Sequence, residues 1–131
     1  MTSATELSRR IETIESGYEF LLAYAAQGRQ SDEGSPVRQT LEDMSVALEG
    51  LGALVLKDVG GVAVEGRADT VEFLKTVDHD ARLARGAIGL VLSRKAISSL
   101  LVDNLNASVH LRALLTDLFL VEQASKSSPA P

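Results

Sequence analysis

Leu74-Lys-Thr-Val77-Asp-His79-Asp-Ala81-Arg-Leu83-Ala84-Arg-Gly86-Ala87-Ile88-Gly-Leu90-Val91 decides the fold class. Leu74, Val77, Ala81, Ala84, Ile88 and Val91 follow one another at steps of three and four residues. That rhythm puts all six on one stripe of an α-helix. Asp69 with Glu72 three residues on reads as a capping-box start. Continued, the stripe would next take Lys95 and Ser98, and both are polar, so the helix stops.

Three more stripes flank it. Leu7, Ile11, Ile14, Tyr18, Leu21 and Ala25 form the first, with Ser3 and Glu6 as a capping box and Gly28 as a left-handed stop. The second is Val37, Leu41, Met44, Leu48, Leu51 and Val55, started by Ser35 as N-cap with Pro36 at the first helical position and ended by Gly60-Gly61. The last has a changed phase: Ile97, Leu100, Asn104, Ala107, Leu111, Leu114, Leu118 and Val121. One helix from Thr70 to Gln123 would be roughly 80 Å long at about 1.5 Å per residue, too long for a small domain. The phase change puts a turn between Ser93 and Ala96; Asp103 to Asn106 is the alternative. On the first placement Asn104 is a polar seam residue that fixes register; on the second it caps a helix. The expectation is an all-α, antiparallel four-helix bundle over residues 1–124, with a Ser/Pro/Ala-rich disordered tail over 125–131.

The connections differ in character. Arg29 to Gly34 is a short polar loop that makes the first two helices an antiparallel hairpin. Val59 to Ala68 holds three glycines around Val62-Ala63-Val64. It reads either as a crossover whose valines plug one end of the bundle or as a Gly-hinged flap over a small apolar pocket. Its glycine spacing fits neither a phosphate loop nor a dinucleotide fingerprint.

Composition narrows the function. Aromatic residues are 4% of the 131, Trp is absent and the formal net charge is −5. No basic stripe is visible, so nucleic acid is not an expected partner. With no Cys, disulfides, thiolate metal sites and cysteine catalysis drop out. No signal peptide and no apolar run long enough to span a bilayer can be read, so a cytoplasmic location is the default and no membrane partner is expected. Neither His79 nor His110 has a Glu three residues before it, which removes the di-iron bundle pattern. No metal or cofactor is expected.

The third helix carries a second stripe. His79, Leu83, Gly86 and Leu90 lie nearly opposite its seam, and Ala87 adjoins them. A helix apolar on both faces should be covered on both faces. The expectation is a protein–protein contact, with Leu83, Gly86, Ala87 and Leu90 at its centre and His79 at its rim. A homodimer through the third helix is the simplest form. The alternative is a central helix whose back is covered by the Val59–Ala68 loop.

His79 is the one candidate reactive group, between Asp78 and Asp80 and one turn before Arg82. Phe73 to Ile88 resembles the H box of sensor histidine kinases, in which Phe precedes a His followed by an acid, an apolar residue and Arg. The resemblance implies a phosphoacceptor at His79 with Asp80 as the adjacent acid. It covers 16 residues of 131. The family's Thr/Asn-Pro pair is replaced by Leu83-Ala84, so its helix kink is not implied. With no ATP-binding domain in the chain, the implied role is that of a passive phosphotransfer bundle. The functional expectation is a non-enzymatic interaction protein: an adaptor, accessory subunit or small regulator. A histidine phosphotransfer bundle and a small-ligand-binding bundle are the alternatives.

Overall fold

A computed structural model describes residues 3–59 and 68–127. Among them the chain is all-α, with six helices and no strand: α1 (Ser3–Ala25), α2 (Val37–Leu48), α3 (Leu51–Val59), α4 (Ala68–Leu92), α5 (Ser99–Ala107) and α6 (Val109–Lys126).

The expected stripes of α1, α2 and α4 face inward. Leu7, Ile11, Ile14 and Leu21 of α1 are buried, as are Val37, Leu41, Met44 and Leu48 of α2 and all six seam residues of α4. Gly28 ends α1 with φ +66, the left-handed geometry that glycine adopts without Cβ strain. Helix α2 begins one residue later than expected, with Pro36 as its N-cap and no side-chain cap; Ser35 Oγ, just before it, accepts the amide of Val37 at 3.2 Å. Asp69 accepts the amide of Thr70 at 3.0 Å, but Glu72 pairs with Lys75 instead of closing a capping box. Glu6 likewise turns to Arg9 and Arg10.

Two expectations are corrected. The second stripe is not one helix: Gly50, at φ +66, breaks it into α2 and α3. Leu51 and Val55 stay buried after the break, so periodicity alone could not reveal it. The last stripe, too, is not one helix, because it breaks at Ser108. The chain turns after Leu92, where the phase change put it, and again at Ser108. Between the two turns, the expected inward residues Leu100, Asn104 and Ala107 are exposed, and Val102 and Leu105 are buried in their place. Ser98 sets this phase, its Oγ accepting the amide of Leu101 at 3.0 Å. Asn104 is therefore neither a seam residue nor a cap. Leu111, Leu114, Leu118 and Val121 of α6 are buried as expected. Helix α6 takes in Ser125 and Lys126. The Gly60-Gly61 stop and the Val62–Val64 knot lie outside the described residues.

Helices α1 and α4, the two longest, each pack against α2, α3, α5 and α6. Backbone approach is close at Gly52. A Cβ built there would lie 2.0 Å from Asp78 Oδ1 and 2.4 Å from Asp78 Cβ, so α3 rests directly on α4.

A polar knot ties the α1–α2 loop to the α4–α5 turn. Tyr24, fully buried, donates its hydroxyl to Ile97 O at 2.5 Å. Ser99 Oγ donates to Tyr24 O at 2.7 Å and accepts the Arg29 amide at 2.8 Å. Asp32 accepts the Ile97 amide at 2.9 Å and Arg38 Nε at 3.0 Å. Arg38 also donates to Leu92 O and Arg94 O, each at 3.0 Å. The Ile97 amide and the Arg38 guanidinium hold the Asp32 carboxyl below its ordinary pKa.

Candidate functional site: the outer face of α4

The second stripe of α4 faces outward. His79, Leu83, Gly86 and Leu90 are exposed and Ala87 is half-buried. Leu83, near the middle of α4, keeps 37% of its surface, and Leu90, in its last turn, keeps 65%. The stripe exists because Ala81, Ala84, Ile88 and Val91 already satisfy the core from the other side.

Charge is drawn away from its centre. Arg82 reaches back to Asp78 at 2.6 Å. Arg85 Nε donates to Ser45 O at 3.2 Å, and its guanidinium lies 3.5 Å from Glu49. Arg85 thus leans toward α2 and the turn after it, while Arg82 folds back along α4. A Cβ added at Gly86 or Gly89 would meet nothing within 4 Å. The missing side chains leave an open hollow of about 430 Å³ lined by Ser45, Arg82, Arg85, Gly86 and Gly89. A facing backbone can approach closely at such a place. On the side toward α6, burial raises the pKa of Asp117, and the charge of Asp80 adds to the effect.

His79 stands exposed at the polar end of the stripe. Of its two flanking carboxylates, Asp78 is engaged by Arg82. Helix α4 runs uninterrupted from Ala68 to Leu92. Among the described residues no group of three or more His, Cys, Asp or Glu could hold a metal ion. None of the described helices is long and apolar enough to cross a membrane. The Val59–Ala68 loop, expected as a plug or a flap, lies at 60–67 outside the described residues.

A second apolar surface was not anticipated. Tyr18 and Leu22 of α1 and Leu115 and Phe119 of α6 line an open groove of about 320 Å³. The signal available was the width of the apolar runs Leu114-Leu115 and Leu118-Phe119-Leu120, which exceeds what one seam can bury. Phe20 and Tyr24, one turn apart on α1, stack with ring centroids 6.4 Å apart; Tyr24 is fully buried and Phe20 half-buried.

No family model matches the chain, and neither a curated protein nor a solved structure matches it. The functional reading rests on the molecule's own surfaces.

Proposed function

We propose that this chain is a non-enzymatic helical interaction protein, an adaptor, accessory subunit or small cytoplasmic regulator that works by docking a protein partner on the outer face of α4. The carrying observation is the exposed stripe Leu83, Gly86, Ala87 and Leu90, flanked by Arg82 and Arg85, each of which pairs with an acidic side chain. An apolar centre with charge pushed to the rim is the anatomy of a protein interface. His79 and Arg82 sit on that rim.

The scaffold in this proposal is an antiparallel four-membered bundle. Its members are α1, α2 with α3, α4, and α5 with α6. The packing of both long helices against both broken pairs supports it. Such a scaffold holds α4 rigid, so the partner meets a preformed surface and little ordering cost is incurred on binding.

Leu83→Glu tests the reading. A carboxylate at the centre of the contact should abolish partner binding in a pull-down, while the far-UV circular dichroism and melting of the free protein stay as in the wild type. Binding retained at wild-type strength refutes the assignment.

A further inference from the structure

The groove between α1 and α6 says more about its occupant than the stripe on α4 does. Leu22, Leu115 and Phe119 floor it, Glu15 and Glu19 stand on its α1 lip, and Arg112 stands on its α6 lip. Leu22 is 48% exposed and Phe119 38%, so the floor is accessible. None of the three rim charges has an ion pair within the described chain. Elsewhere charges do find partners: Glu6 takes Arg9 and Arg10, and Asp32 takes Arg38. The neighbouring groove between α1 and α2 is lined mainly by polar and charged groups such as Arg9, Glu12, Thr13 and Asp43, and lacks a comparable apolar floor.

An apolar floor between an acidic lip and a basic lip is complementary to itself. We infer that this groove is where a second copy of the chain docks, with α1 of each copy laid over α6 of the other. Helices α1 and α6 run antiparallel, since Ser8 near the start of α1 donates to Glu122 near the end of α6 at 2.8 Å. A twofold axis along the groove therefore carries α1 onto the opposing α6 at the same level. Arg112 of each copy then faces Glu15 and Glu19 of the other, twice over. Leu22 of each meets Leu115 and Phe119 of its mate. The other face-to-face twofold arrangement lays α1 over α1 and sets Glu15 and Glu19 against their own copies, which like-charge repulsion disfavours. Charge thus selects one of the two symmetric dimers. This goes beyond the partner docking at α4 and leaves that stripe free.

Sedimentation of the full chain tests the inference with two charge reversals, Arg112→Glu and Glu19→Arg. The wild type should dimerise reversibly. Each reversal alone should weaken self-association by about tenfold or more, because like charges then face each other at both ends of the contact. Mixing the two variants in equal amounts should restore the dimer, since each reversed charge then meets its complement on the other chain. A rearrangement within one chain cannot produce that restoration. A monomeric wild type, undiminished dimers in the single variants, or a mixture that stays monomeric would each overturn the inference. A dimer lost in Leu83→Glu and kept in Arg112→Glu would assign self-association to α4, overturning this inference while leaving the α4 docking surface in place.

Discussion

Replacing Ser99 by Ala removes one oxygen from the interior, strands the Arg29 amide and takes one of its two donors from Tyr24 O. Ser99 is 3% exposed, its Oγ accepting the Arg29 amide at 2.8 Å and donating to Tyr24 O at 2.7 Å. A buried backbone group left without a partner costs about 1–3 kcal/mol. The Arg29 amide belongs to the loop after α1 and the alanine methyl supplies no replacement acceptor, whereas Tyr24 O keeps the Gln27 amide at 3.1 Å. The loss should be about 1–3 kcal/mol, the cost of the one stranded Arg29 amide. For a chain of this size that is a fall in Tm of about 3–12 °C. The neighbouring Ser98→Ala is the control. Its hydroxyl caps α5 through the Leu101 amide at 3.0 Å, and losing such a cap costs about 1 kcal/mol. Urea titrations followed by far-UV circular dichroism should move the midpoint further for Ser99→Ala than for Ser98→Ala, with unchanged slope. Equal shifts, or a smaller shift for Ser99→Ala, would refute the idea that Ser99 clamps the two loops together.

Two further outcomes follow from the same packing. Gly52→Ala should destabilise by about 1–3 kcal/mol because the new methyl overlaps Asp78 on α4; Gly86→Ala, which meets open space inside a helix, should stabilise by up to about 1 kcal/mol, and paired thermal melts read both signs. Asp32→Ala should cost about 1.5–3 kcal/mol at neutral pH by removing the acceptor of the Ile97 amide and Arg38. Because the folded carboxyl titrates below its ordinary value, that contribution is complete above the ordinary aspartate range and is lost as the pH falls through the depressed folded value. Stability curves of wild type and variant should therefore converge in acid, and a gap that widened there would contradict the assignment.

The sequence made the helical class and most inward faces legible, because burial imposes its period on the residues themselves. Leu74 to Val91 can be read without coordinates, and so can the outward turn of Leu83 and Leu90. Gly50 escaped because the chain resumes its seam in phase at Leu51, so the break leaves no mark on the period. The phase of α5 escaped for a different reason. Leu100-Leu101-Val102-Asp103-Asn104-Leu105 offers apolar residues on two faces, and the choice falls to the Ser98 cap. It turns Asn106 inward, where its Nδ2 donates to Leu21 O at 3.0 Å, and leaves Asn104 in solvent. The Tyr24–Ser99–Arg29 knot joins groups more than sixty positions apart, so no local pattern announces it. The groove between α1 and α6 escaped likewise: its opposed charges acquire meaning only once antiparallel packing brings Glu19 and Arg112 to one rim.

The most direct test of the central claim is quantitative affinity capture of the tagged full chain from its native host, comparing wild type with Leu90→Glu. Leu90 is 65% exposed, so the substitution reaches the stripe without entering the core. The account predicts a stoichiometric protein partner on the wild type and its loss from Leu90→Glu, with identical melting curves for the two free proteins. Equal recovery of that partner on both would contradict the assignment of α4 as the docking surface.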